Sequence, residues 1–200
     1  MRWLSLILLC LLPFICSGEN VDPYSTGGQF AWCENTGWFN FQPGSGDGVQ
    51  VESDKLTGFV WAENIGWINL SPTTYGGVYN DGNDNLSGYG WGENVGWINF
   101  NPVVAGDSTD YGVKIDYDGG FYGWAWGENI GWINFGIADN YVVACKVTID
   151  DLVNFSLSWL QIEPNAADLD GDLNRTDLDD YCVFADYWQD FCPDGWLLKQ

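Results

Sequence analysis

The sequence predicts a mainly β protein with a small α appendage: pseudo-symmetric antiparallel β repeats followed by a pair of helices. Three observations lead there. A Trp-rich segment occurs four times, as "AWCENTGWFNF" at 31–41, "WAENIGWINL" at 61–70, "WGENVGWINF" at 91–100 and "WGENIGWINF" at 126–135. Short alternating stretches are separated by Asp-Gly, Asn and Gly positions, which supply the positive φ of tight hairpins. Beyond residue 138 Gly becomes scarce, Asp more frequent, and apolar residues take up helical spacing.

In chain order, residues 1–18 come first. Arg2 is the only charge before Glu19, and Leu4 to Ile15 is an almost unbroken apolar run followed by small residues. This predicts a secretory signal peptide, cleaved after Gly18 and too short to span a membrane. No later segment is apolar enough to cross one. The expected location is extracellular or at the cell surface.

Residues 19–138 form the β-rich domain. The Trp that open the copies, Trp32, Trp61, Trp91 and Trp126, are spaced by 29, 30 and 35 residues. The fullest unit, Tyr111 to Phe135, reads as three strands, "YGVKIDY", "FYGWAWG" and "WINF". Turns at Asp118-Gly119-Gly120 and at Glu128-Asn129-Ile130-Gly131 join them, and Pro72 and Pro102 end the third strand in their units. Three complete units and one shortened first unit give roughly ten to twelve strands. A meander this small cannot bury its own apolar face, so the units must pack on one another. About 30 residues is short for a four-stranded propeller blade of roughly 40 or more. A barrel, prism or sandwich therefore ranks ahead of propeller-like closure.

Alternate residues of a strand share a face. Ile68/Leu70, Ile98/Phe100 and Ile133/Phe135 should face the core, leaving Trp67/Asn69, Trp97/Asn99 and Trp132/Asn134 on the other side. That second face either packs on a neighbouring repeat or meets a ligand. A flat indole beside an amide suits a sugar ring, with its C–H faces and hydroxyl edges. Trp38, Trp67, Asn69, Trp97, Asn99, Trp132 and Asn134 are thus the candidate ligand contacts, with carbohydrate the favoured class.

Glu34, Glu63, Glu93 and Glu128 occur once per unit in the same turn. Glycoside cleavage needs paired carboxylates in unlike environments, which repetition denies. The Glu-Asn pairs are expected to cap or bridge turns by bonding backbone N–H groups. The chain has no His, which removes Ser-His-Asp and Cys-His catalysis and His-ligated zinc. With 28 Asp and Glu against 6 Lys and Arg, nucleic acid is excluded as a partner, since phosphate binding needs cationic side chains. The reading is of a non-catalytic protein.

Residues 139–192 carry a second duplication. "IDDLVNFSLSWLQ" sets Leu152, Phe155, Ser156 and Trp159 on one helical face, and "LDDYCVFADYWQ" does the same with Tyr181, Phe184, Ala185 and Trp188, at an offset of 29. Before the second helix lies "DLDGDLNRTDLDD", 168–180, whose alternating carboxylates converge oxygens on a hard cation. This region resembles type I dockerin modules, which are built from two Ca²⁺-loop-plus-helix repeats; the likeness covers about 147–188. The resemblance implies Asp168, Asp170 and Asp172 at loop positions 1, 3 and 5, Asp177 at position 9, and Asp180 closing the shell in preference to Asp179. Leu173 stands where the loop expects Gly, with Asn174 able to take that conformation. The first loop holds Asp139, Tyr141 and Val143 at the corresponding positions, so one Ca²⁺ site is expected, not two. Residues 193–200 read as a tail.

Cys33, Cys145, Cys182 and Cys192 follow the signal segment. An even number in an exported chain suggests disulfides, among three possible pairings. Cys182 and Cys192 can pair with each other, or either can pair with Cys145, and Cys33 reads as buried and free. The whole is expected to be a secreted protein with a multivalent binding or adhesive β domain and a Ca²⁺-binding module. The expected partners are a cohesin-like or other surface protein, through that module, and polysaccharide. The alternatives are a structural surface or matrix protein and an accessory part of a glycan-degrading system.

Overall fold

The structure is a computed structural model that describes residues 19–44, 48–137, 141–161, 165–172, 175–193 and 196–199. The signal segment 1–18, Asp139, Leu173 and Asn174 lie outside the described residues. The strands are β1 (Phe30–Cys33), β2 (Gly37–Asn40), β3 (Gln50–Val51), β4 (Lys55–Thr57), β5 (Phe59–Ala62), β6 (Gly66–Asn69) and β7 (Gly77–Asn80). They continue with β8 (Leu86–Gly92), β9 (Gly96–Asn99), β10 (Lys114–Ile115), β11 (Phe121–Tyr122), β12 (Trp124–Gly127) and β13 (Gly131–Asn134). Two helices follow, α1 (Ile149–Ser158) and α2 (Leu178–Asp186).

Each Trp segment is one hairpin: β1/β2, β5/β6, β8/β9 and β12/β13. Gly37, Gly66, Gly96 and Gly131 follow the turns at φ between +80° and +83° or +85°, a conformation that L side chains rarely adopt. Neighbouring hairpins join antiparallel through β2–β5, β6–β8 and β9–β12, and β13 pairs with β1. Eight strands therefore close into an up-and-down barrel. The predicted inward set is buried: Ile68, Leu70, Ile98, Phe100, Ile133 and Phe135, with Phe39 and Phe41 from the first hairpin. Closure leaves these strands without free edges.

Below the barrel each unit carries a smaller pairing: β3 with β4, β7 with the first half of β8, and β10 with β11. The chain kinks between the two levels at Gly58, Gly88 and Gly123, with φ of +89°, +86° and +93°. A Cβ there would stand 2.0, 2.2 and 2.3 Å from the carbonyl oxygens of Gly48, Gly77 and Gly112. This is why "FYGWAWG", read as one strand, divides into β11 and β12 at Gly123.

The lower pairing that the shortened first unit lacks is assembled from both ends of the β region. Val21 bridges Ala144, Gly120 bridges Val143, and the Val143 N–H donates to Gly28 O at 2.9 Å. Asn20 adds a strand-like pair through its side chain, donating to Val51 O and accepting from Val51 N, both at 2.8 Å. Val142 and Ala144 thus belong to the barrel core, and Cys145 and Val147 to a second core beneath the helices. The β region runs past residue 138 to about 144, because its ring is incomplete without that strand.

In the second core Phe155 stacks on Phe184 at 5.3 Å between ring centroids, and Trp196 and Leu198 are buried beside them. Residues 196–199 are therefore packed structure, where the sequence reads as a tail. Of the predicted helical faces, Phe155 and Phe184 are buried, while Trp159, Tyr181 and Trp188 are exposed. Cys145 and Cys192 form the disulfide; Cys33 is free and buried, and Cys182 is free and exposed. Lys146 pairs with Asp84, tying a loop below the barrel to the segment that enters α1.

Candidate functional site

The outer face of the barrel repeats one arrangement four times. Within each hairpin the two Trp stand directly opposite: Trp32/Trp38, Trp61/Trp67, Trp91/Trp97 and Trp126/Trp132. Their ring centroids are 4.6 to 4.9 Å apart at 59° to 66° between planes. Such edge-on pairs contribute about 0.5–1.5 kcal/mol each beyond the area they cover. None of the eight is buried. The Trp face meets neither the barrel interior nor an overlying repeat.

The four copies are not equally open. Trp38 and Trp67 are 42% and 41% exposed. Trp97 and Trp132 are half-buried: Gly76 backs onto the Trp97 ring, and Tyr111 lies 5.2 Å from Trp132 between centroids. Asn40, Asn69, Asn99 and Asn134 are partly exposed and spend part of their bonding on the chain. The Oδ1 of Asn69, Asn99 and Asn134 accepts from the N–H of Ser71, Asn101 and Gly136, closing the strand exit. Among the described residues their amide nitrogens have no hydrogen-bond partner.

Where two hairpins meet, the Asn of one faces the first Trp of the next: Asn40/Trp61, Asn69/Trp91, Asn99/Trp126 and Asn134/Trp32. The register carried one residue further sets Trp38, Trp67, Trp97 and Trp132 beside Glu63, Glu93, Glu128 and Glu34. Each junction therefore aligns two indoles, one amide and one carboxylate, and at two of them these residues line a shallow groove. The groove between β6 and β8 has a volume of about 470 Å³ and that between β13 and β1 about 460 Å³. The first Trp of each hairpin, Trp32, Trp61, Trp91 and Trp126, was not among the predicted contacts. Period-two alternation would have found them, since they share the outer face with their cross-strand partners.

The Glu-Asn turns divide their labour. Asn35, Asn64, Asn94 and Asn129 each donate a side-chain N–H to a carbonyl of the neighbouring turn, those of Ile130, Thr36, Ile65 and Val95, at 2.9 to 3.0 Å. The four bonds run round the rim in a closed ring. The bridging expected of these turns is thus made by Asn alone, as a donor to carbonyls and not as an acceptor of N–H groups. A backbone carbonyl at the rim has no strand partner, and an amide donor is what satisfies it. The Glu carboxylates take no part.

No family model, curated protein or solved structure matches this chain. The chemistry of the grooves and of the acidic loop therefore carries the functional reading.

In that loop, side-chain oxygens of Asp168, Asp170 and Asp180 lie within 4.8 Å of one another. Asp180 is buried; its Oδ1 accepts from the N–H of Leu169 and Asp170 at 2.8 and 3.2 Å, and its Oδ2 from Asp177 N–H at 2.9 Å. Gly171 N–H donates to Asp168 Oδ1 at 2.8 Å, and Asp172 N–H to Asp170 Oδ1 at 3.0 Å. The Asp172 amide pulls the Asp170 carboxyl down, but desolvation and the charges of Asp180, Asp172 and Asp168 outweigh it and leave it above its ordinary range. Asp179 is exposed, as the choice of Asp180 requires. Of the five predicted ligands the fold brings three together. Asp172 lies outside that trio, and Asp177 instead caps α2 by accepting from Asp179 N–H at 3.0 Å.

The first half of the duplication resolves its carboxylate differently. Asp151, the counterpart of Asp180, is fully buried, accepts from Trp196 Nε1 at 2.8 Å and meets Lys199 Nζ at 3.6 Å. A side-chain ammonium there supplies the counter-charge. Among the described residues no Lys or Arg pairs with Asp168, Asp170 or Asp180. Three converging carboxylates, one of them buried, fit a hard divalent cation bound by oxygen. Asp168, Asp170 and Asp180 would hold it.

Proposed function

We propose that this is an exported, non-catalytic carbohydrate-binding protein, with a multivalent β-barrel and a C-terminal module that binds one Ca²⁺. The observation that carries the reading is the outward Trp–Asn–Trp–Glu arrangement repeated at each hairpin junction, which lines a groove at two of them. Exposed indoles give flat apolar platforms for the C–H faces of pyranose rings, and the free amide nitrogens give donors to hydroxyl edges. Repetition of a weak site round one scaffold raises avidity for a polymer without any single strong contact. The Cys145–Cys192 disulfide supports export, since such bonds persist in oxidising compartments. No helix among the described residues is long and apolar enough to cross a membrane. The Ca²⁺ module supports a role in anchoring to a surface protein, of the kind the dockerin resemblance implies.

Glycan-array screening and pull-down on insoluble polysaccharides, using the chain from residue 19 onward, test this reading. Retention is expected for the unaltered protein and a severalfold loss for Trp38→Ala with Trp67→Ala, each groove contributing to avidity. Absence of retention on every glycan at high micromolar protein would overturn it. The mutual pairing of the Trp would then stand as a purely structural device, in a matrix protein without a small ligand.

A further inference from the structure

The turn Asn is explained by the rim ring; the turn Glu is not. Glu34, Glu63, Glu93 and Glu128 are exposed, and among the described residues none has a hydrogen bond or ion pair within the protein. Four carboxylates on one rim repel one another in a chain whose net charge is already −22. Nothing in the barrel requires them, yet each stands at a hairpin junction, beside the second Trp of the neighbouring hairpin and two residues after the first Trp of its own. Glu93, for example, lines the groove with Trp67, Trp91 and Asn69, and Glu34 lines the opposite one with Trp132, Trp32 and Asn134.

A carboxylate flanked by two indole faces suits a cation carried on an apolar ring. The carboxylate offers a charge-assisted hydrogen bond, and the indoles attract a cation through their π faces while stacking on C–H groups. Anionic sugars are repelled by these Glu and by the field of the whole chain. Neutral sugars would desolvate the carboxylate with no compensating charge. We propose that the grooves recognise amino sugars bearing a free, protonated amine, as in a glucosamine polymer, with the ammonium on the turn Glu and the pyranose face on the Trp. This rests on the carbohydrate reading and narrows it. Equivalent grooves recur every second strand, about 10 Å apart at the usual strand spacing.

The test is calorimetric titration of the chain from residue 19 onward with three hexamers: fully deacetylated glucosamine, its N-acetylated form, and neutral glucose, at 0.15 M salt. The deacetylated hexamer is expected to bind at least about tenfold more tightly than the others, the worth of one charge-assisted bond. Replacing all four (Glu34→Gln, Glu63→Gln, Glu93→Gln and Glu128→Gln) should remove that advantage without weakening binding of the neutral hexamer. Trp67→Ala, which keeps every charge, should weaken all three. Equal affinity for all hexamers, unaltered by the Gln variants, would overturn the amino-sugar assignment and leave carbohydrate binding standing. Amine-selective binding that is undiminished by Trp67→Ala and vanishes at higher salt would show attraction to the acidic surface alone and also overturn it. Binding of none of them would overturn the assignment, and failure on every other glycan would remove the broader reading with it.

Discussion

At the scale of single residues, the Glu-Asn dipeptide shows how one short motif serves two ends. The Asn amide reaches sideways to satisfy a carbonyl of the next turn, and the Glu beside it stays in solvent. Asn64→Ala is expected to cost about 1 kcal/mol, the usual net worth of such a bond. Denaturant unfolding would measure it, and Glu63→Ala in the same turn should change stability by less than about 0.5 kcal/mol, as exposed positions do. An equal loss in the two variants would contradict the division of roles. The two buried carboxylates give a parallel contrast. Asp151 and Asp180 occupy equivalent helical positions, yet Lys199 meets the first, while among the described residues no Lys or Arg pairs with the second.

At the scale of elements, each repeat is two pairings joined by a Gly kink, and only three lower pairings are continuous in sequence. The fourth comes from residues 20–22 and 141–144, which lie on opposite sides of all four hairpins. Ending the chain at residue 138 would leave Val21, Phe121 and Val49 facing an opened base. Such a chain is expected to unfold at lower denaturant than one ending at residue 148 with Cys145→Ala, and to bind a hydrophobic dye that the longer one does not. Equal stability would show that the C-terminal strand is dispensable. This placement also explains why the first unit looks truncated: its missing part is supplied after the last repeat, so the ring closes on the two ends of the β region.

At the scale of the whole molecule, two cores meet along the segment 142–147, where Val142 and Ala144 enter one and Cys145 and Val147 the other. The Cys145–Cys192 bond encloses both helices in a loop with a sequence separation of 47, which in the chain-entropy account is worth about 4 kcal/mol. Ca²⁺ is expected to act on this half alone. At a hundredfold excess over its dissociation constant it should stabilise the helical module by about 2.7 kcal/mol, reversed by chelator and abolished by Asp168→Ala. Calorimetric titration should count one site, since Lys199 holds the equivalent position of the first repeat. Two sites, or none, would contradict the assignment.

Several features were legible in the chain itself. Period-two alternation separates Ile68 and Leu70 from Trp67 and Asn69, and the Gly after each turn marks a positive φ, so the hairpins and their inward faces are written locally. The alternating carboxylates of 168–172 and the paired amphipathic stretches are local in the same way. Other features depend on which distant residues meet. That β13 returns to β1, that residues 141–144 complete the first unit, that Cys145 chooses Cys192 over Cys182, and that Trp196 and Lys199 pack against Asp151 all follow from closing a ring and packing two cores. The openness of Trp38 and Trp67 against the cover over Trp97 and Trp132 is set likewise, by loops that differ between otherwise equal repeats. Backbone preference and side-chain alternation act within a few residues and so belong to the sequence; closure and burial are decided by contacts across the whole chain, and only the folded structure shows which of them are made.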